Sequence, residues 1–105
     1  MKESEIQKQI LDFLESKGFI VTKVNNGTHA VRGGYIRSRN SNKGMADIIG
    51  ISPCGRFIAC EVKKSGGVAS EAQVAFSDEI NKRGGVSMIV ESLGEVVQKL
   101  TIENV

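Results

Sequence analysis

Three charged residues interrupt two otherwise apolar stretches. Asp47 directly precedes Ile48-Ile49, and Glu61 and Lys63 stand either side of Val62 near the end of 56–63 (RFIACEVK). Side chains on a strand alternate between faces, so Glu61 and Lys63 project together. A hairpin between 47–52 and 56–63, turned at Pro53-Cys54-Gly55, brings Asp47 alongside Glu61. Two carboxylates and an ammonium then converge at one end of a buried sheet. That trio suits phosphodiester hydrolysis. Paired carboxylates form a hard oxygen site for Mg²⁺ or Mn²⁺, which keeps waters that a phosphate can replace. Such an ion polarises the phosphoryl group and lowers the pKa of an attacking water. A neighbouring lysine orients that water or stabilises charge in the transition state. The backbone carbonyl of Val62 is a further candidate ligand.

The ordinary explanation of Glu-x-Lys on a strand is an exposed ion pair. It weakens here because Ile58, Cys60 and Val62 on one face, and Phe57 and Ala59 on the other, imply a strand covered on both sides. Charges at the end of such a strand are costly unless paired or bound to a metal.

The elements that must hold these residues follow from periodicity. Ile6, Ile10, Phe13 and Leu14 make one apolar stripe and predict a helix over 3–17, with Ser4 and Gln7 as a capping box and Gly18 as its stop. Strands are expected over 19–24 (FIVTKV), 47–52 (DIIGIS), 56–63 and 86–90 (VSMIV), with 47–52 and 56–63 apolar on both faces as buried central strands are. Ser70 starts a second helix reaching about 83, with Ala72, Ala75, Phe76 and Ile80 inward, and 93–100 forms a last one. The expected order is α-β-β-β-α-β-α, an α/β fold with a mixed central sheet flanked by helices. The 105 residues fit one domain over 1–105.

Between Asn25 and Ala46 the chain is rich in Gly, Ser and Asn, with a short hairpin expected within 31–37. Connections of that length are usually functional or disordered. The segment holds Arg32, Arg37, Arg39 and Lys43 and no acidic residue, so it carries +4 in a chain whose net charge is +2. Such a block suggests a surface for a polyanion. His29, the only histidine, lies there without an evident partner, and Tyr35 can stack on a base or anchor the loop. Cys54 and Cys60 lack metal-site spacing and no pattern asks for a disulfide, which favours a reducing, cytoplasmic setting. No apolar run approaches the ~20 residues of a membrane span.

The run Gly44-Met45-Ala46-Asp47-Ile48-Ile49-Gly50, then Glu61-Val62-Lys63, then Ser70-Glu71-Ala72-Gln73, resembles the PD-(D/E)XK nuclease superfamily, and most of all its VRR-NUC (virus-type replication-repair nuclease) domains. The likeness runs from the first helix to about Val90. Ala46 stands where relatives often carry a proline, a position without chemistry. The resemblance implies the restriction-endonuclease-like fold, with Asp47 and Glu61 as ligands of Mg²⁺ or Mn²⁺ and Lys63 as the catalytic lysine. It implies that Gln73 supports the lysine or the scissile phosphate, and that an acidic residue begins helix one. Glu3 is chosen over Glu5 because it shares the stripe of Ile6 and Ile10. Asn26 falls in the segment that borders the active site in relatives. The implied activity is structure-selective DNA endonuclease, resolving four-way (Holliday) junctions as a homodimer in DNA repair, with a phage origin. The alternatives are a monomeric flap or single-strand nuclease, or an inactive nucleic-acid binding module.

Overall fold

Helix α1 (Glu3–Ser16) forms because Ile6, Ile10 and Leu14 recur on one side, where all three are buried. Gly18, at φ +88°, lets the chain leave the helix directly into β1 (Ile20–Lys23). The start differs from expectation. Lys2 is the N-cap, with no side-chain cap, and Ser4 lies inside the helix. Gln7 is buried instead of reaching back to a cap.

The computed structural model describes residues 1–24, 28–31, 34–37 and 44–105, of which 28–31 and 34–37 are described as strand path alone. Those two are β2 (Thr28–Val31) and β3 (Gly34–Arg37), antiparallel, with Val31 opposite Gly34. The hairpin expected within 31–37 therefore begins earlier, at Thr28.

The main sheet adds β4 (Ile48–Ile51), β5 (Phe57–Val62) and β6 (Val86–Val90) to β1, in the order β1-β4-β5-β6. Pairs are antiparallel except β5 and β6, which run parallel. Parallel neighbours need a long crossover, and α2 (Glu71–Lys82) supplies it. Helix α3 (Leu93–Glu103) follows β6 and ends at Asn104 in the left-handed conformation. This is the mixed sheet flanked by helices that the sequence predicts, with the β2–β3 hairpin inserted. Among the described residues no helix is long and apolar enough to cross a membrane.

The two faces of the sheet differ. Ile58, Cys60 and Val62 of β5, with Ile48 of β4 and Val86, Met88 and Val90 of β6, pack against Ile6, Ile10 and Leu14 of α1 and Val96 and Leu100 of α3. On the other face α2 packs on β5 and β6. Its inward side differs from the expected one, for Ala75 is exposed and Ser77 is the buried position. The sequence also predicts cover on both faces of β4, whereas Ile51 is 43% exposed and Phe57 beside it 39%. The outer edge of β6 is closed by a side chain. Asn81 Nδ2 donates to the Ser87 carbonyl and its Oδ1 accepts from the Ser87 N–H, so a carboxamide stands where another strand would pair.

Candidate active site

Asp47 stands one residue before β4, and Glu61 is the fifth residue of β5, on the face turned to α2. The register pairs Ile48 with Cys60, so the two carboxylates meet where the β4–β5 ladder ends. Each carboxylate is held by the other's strand. The Asp47 N–H donates to Glu61 Oε2 at 3.1 Å, and the Val62 N–H donates to Asp47 Oδ2 at 3.0 Å. Neither carboxylate can swing away without giving up a backbone hydrogen bond.

Lys63 lies on the Glu61 face, as alternation requires, with Nζ 3.7 Å from Glu61 Oε1. Gln73 of α2 reaches the same oxygen, donating from Nε2 at 2.6 Å. Burial and then the nearby Asp47 carboxylate push Glu61 up to about 7, against the pull of Lys63 and of the Asp47 N–H. A buried acid crowded by a second acid favours either a proton or a cation.

The donor set fits a hard divalent cation. Asp47 and Glu61 supply anionic oxygens. In an extended strand the N–H and C=O of one residue point the same way, so the Val62 carbonyl opens on the Asp47 side as its amide does. Three protein oxygens leave room for water and phosphate. Among the described residues no group of three or more His, Cys, Asp or Glu comes together, so the site rests on two carboxylates and a carbonyl.

Of the other expected site residues, Glu3 lies farther out. Glu3 occupies the first turn of α1, exposed, and its Oε1 accepts from the Lys64 N–H at 3.0 Å. It therefore ties α1 to the exit of β5, one residue past Lys63, and its bond is to that amide rather than to Asp47, Glu61 or Lys63. Arg37 ends β3. Asn26, Arg32, Arg39 and Lys43 lie outside the described residues. Both cysteines are free, Cys54 exposed and Cys60 buried.

Two contacts escape sequence reasoning. Ser70, the expected start of α2, is also bonded to Gln73 twice over, and the signal for that is the Ser-x-x-Gln spacing itself. Gly44, at φ +87°, approaches α2 so closely that a Cβ there would lie 2.1 Å from the Ala72 carbonyl oxygen. No local pattern marks that contact, because the two residues are distant in sequence.

No protein-family model and no curated protein matches this sequence. Among solved structures, a chain described as a VRR-NUC domain matches at a TM-score of 0.67 and 26% identity, over 98% of this chain and 97% of that one. The match spans the helix, strands and crossover that assemble Asp47, Glu61, Lys63 and Gln73. Over nearly its whole length this chain is similar to that VRR-NUC domain, and it has the restriction-endonuclease-like fold.

Proposed function

We propose that the chain, acting as one domain over 1–105, is a divalent-metal-dependent, structure-selective DNA endonuclease that resolves four-way junctions as a homodimer. The observation that carries the nuclease reading is the reciprocal lock between Asp47 and Glu61, which fixes two acids side by side beside Lys63. A pure binding module has no need of that costly arrangement.

Asp47, Glu61 and the Val62 carbonyl would hold Mg²⁺ or Mn²⁺, which supplies Lewis acidity toward the phosphate and a more acidic water. Lys63, 21% exposed at the mouth of the site, faces the position of the scissile phosphate and stabilises its developing negative charge. Gln73 holds the Glu61 carboxylate in place through its Nε2 donor, and would keep it oriented for such an ion. Arg32, Arg37, Arg39 and Lys43, with Asn26, contact the DNA backbone, which recognises shape without reading bases. Replacing Arg32, Arg37 and Arg39 by Ala then flattens the salt dependence of binding, by about 0.9 in log–log slope for each duplex phosphate that these side chains neutralise. An unchanged slope would place these arginines away from the substrate.

A surface on the sheet suits the homodimer. The α2 side leaves Ile20, Ile51 and Phe57 exposed and Ile49 half-buried, with no charged residue among them. DNA has nothing to bind there, whereas a second copy of the same patch matches it, as a two-fold interface requires. Asp47 lies four residues along β4 from Ile51, roughly 14 Å, so the cleft stays outside the contact. The stretch 86–100 is a poorer choice, since Val86, Val90, Val96 and Leu100 are already in the core.

The experiment is strand-mapped cleavage of labelled junctions, flaps, duplexes and single strands with Mg²⁺ or Mn²⁺, alongside light scattering of wild type and Phe57→Asp. Paired, symmetric nicks in junctions from a dimer that Phe57→Asp dissociates are the expected result. A monomer cutting only flaps or single strands would overturn junction resolution and leave the metal site standing. Full activity in excess EDTA would overturn the metal site.

A further inference from the structure

The first turn of α2 holds a chain of hydrogen bonds that begins at a helix cap and ends on Glu61. The Ser70 N–H donates to Gln73 Oε1 at 2.9 Å, the Gln73 N–H donates to Ser70 Oγ at 3.1 Å, and Gln73 Nε2 donates to Glu61 Oε1 at 2.6 Å. A capping box normally serves only the helix that it starts. Here its glutamine has one end in the cap and the other on a candidate metal ligand.

The orientation of that carboxamide follows from the cap. A backbone N–H can only donate, so the Gln73 end facing Ser70 must be the oxygen. The NH₂ end is thereby turned to Glu61, where only a donor satisfies a carboxylate. Were the amide flipped, two donors would oppose each other at Ser70 and two acceptors at Glu61. The same turn also presses on the chain leading into Asp47, through the close approach of Gly44 to the Ala72 carbonyl. One helical turn thus holds Glu61 through Gln73 and lies against the chain that leads into Asp47.

We infer that Ser70 is a positioning residue of the active site, whose backbone N–H sets the Gln73 carboxamide and through it the orientation of Glu61 toward a divalent cation. This rests on the metal site proposed above. Gln73 acts as the support of a ligand, with its carboxamide oxygen committed to the cap. Partners of this kind typically alter metal affinity about 10- to 100-fold when removed.

Two substitutions at Ser70 separate its roles. Ser70→Ala removes the hydroxyl and keeps the N–H. Ser70→Pro removes both, at a φ of −71° that proline itself adopts. Either loses the side-chain cap, so both lower the melting temperature. Binding of Mn²⁺, measured by calorimetry on the free protein, distinguishes them. Ser70→Ala should bind within about twofold of wild type, whereas Ser70→Pro and Gln73→Met should each bind about tenfold more weakly. Ser70→Pro in a Gln73→Met background should weaken binding no further, because the route through Gln73 is already cut. Equal affinity in Ser70→Ala and Ser70→Pro, or an additive loss in the double variant, overturns the relay. Should Ser70→Pro not fold, wild-type affinity in Gln73→Met overturns it alone. If wild type itself binds no Mn²⁺, the metal reading is what has failed.

Discussion

Strand β5 carries two unlike regions on its two sides. Ile58, Cys60 and Val62 face α1 and α3 and are at most 1% exposed, in a core of aliphatic side chains. Phe57, Ala59, Glu61 and Lys63 face the other way, toward α2 at one end and toward open apolar surface at the other. Stability is concentrated on the first face and chemistry on the second. The division is simple to build because a strand places neighbours on opposite sides, so a charged pair can sit one residue from a dry core. The consequence is that the two faces should respond to substitution in opposite ways.

The largest effect is expected at the chemical face. Asp47→Asn keeps an oxygen for the Val62 N–H but removes an anionic oxygen of the proposed metal site, so cleavage should fall by about a thousandfold with the melting temperature little changed. Loss of structure along with activity would break the separation of roles. Next comes Leu14→Ala in the core. Leu14 is fully buried between sheet and helices, and its truncation should cost about 2–5 kcal/mol in chemical denaturation. Turnover per folded molecule should stay near wild type, and a proportional loss of both would show that the faces are coupled.

How far the sequence reveals this division varies by element. Asp47, Glu61 and Lys63 are legible because each interrupts an apolar run, and strand alternation fixes that Glu61 and Lys63 share a face. The strands around them are legible to within a residue or two. The capping box expected on the first helix belongs to the second. Ser4 and Gln7 have the same spacing as Ser70 and Gln73, but α1 starts at Glu3, so Ser4 falls inside it. Spacing alone does not reveal which glutamine is buried by its neighbours and which is free to turn back. The cover on β4 is misread for a related reason. Ile49 and Ile51 read as buried, and only the position of α2 over β5 and β6 leaves that part of the sheet open.

A smaller effect separates the faces by pH. Glu61 has an ordinary value of 4.5 and is raised to about 7 by burial and by Asp47. Between those values the folded chain holds a proton that the unfolded chain has released. The Glu61 contribution to stability in EDTA is therefore fully present below about 4.5 and is lost as pH rises through about 7, at no more than about 1.4 kcal/mol per pH unit. Mn²⁺ affinity should run the opposite way and rise over the same window, because the ion needs the carboxylate. Urea unfolding of wild type and Glu61→Gln across this window tests it, with the slope absent in the variant. The same slope in both proteins would assign it to another group.

The smallest effect is expected at Ile51, and it bears on what the open face is for. Ile51 is 43% exposed and stands in β4 between Ile20 and Phe57, both also exposed. Ile51→Thr keeps a β-branched side chain, so strand geometry is undisturbed and little buried area is given up. In a dilute monomer the change should fall within about 0.5 kcal/mol. If a second copy covers this face, the loss grows with protein concentration, since association stabilises the folded state by mass action. Thermal unfolding over a wide range of concentration distinguishes the cases. A cost that rises with concentration supports the two-fold contact, and a small constant cost leaves the face bare. A constant cost as large as that of Leu14→Ala would mean that the open face is packed within a single chain, and the contrast between the two sides of β5 would fail.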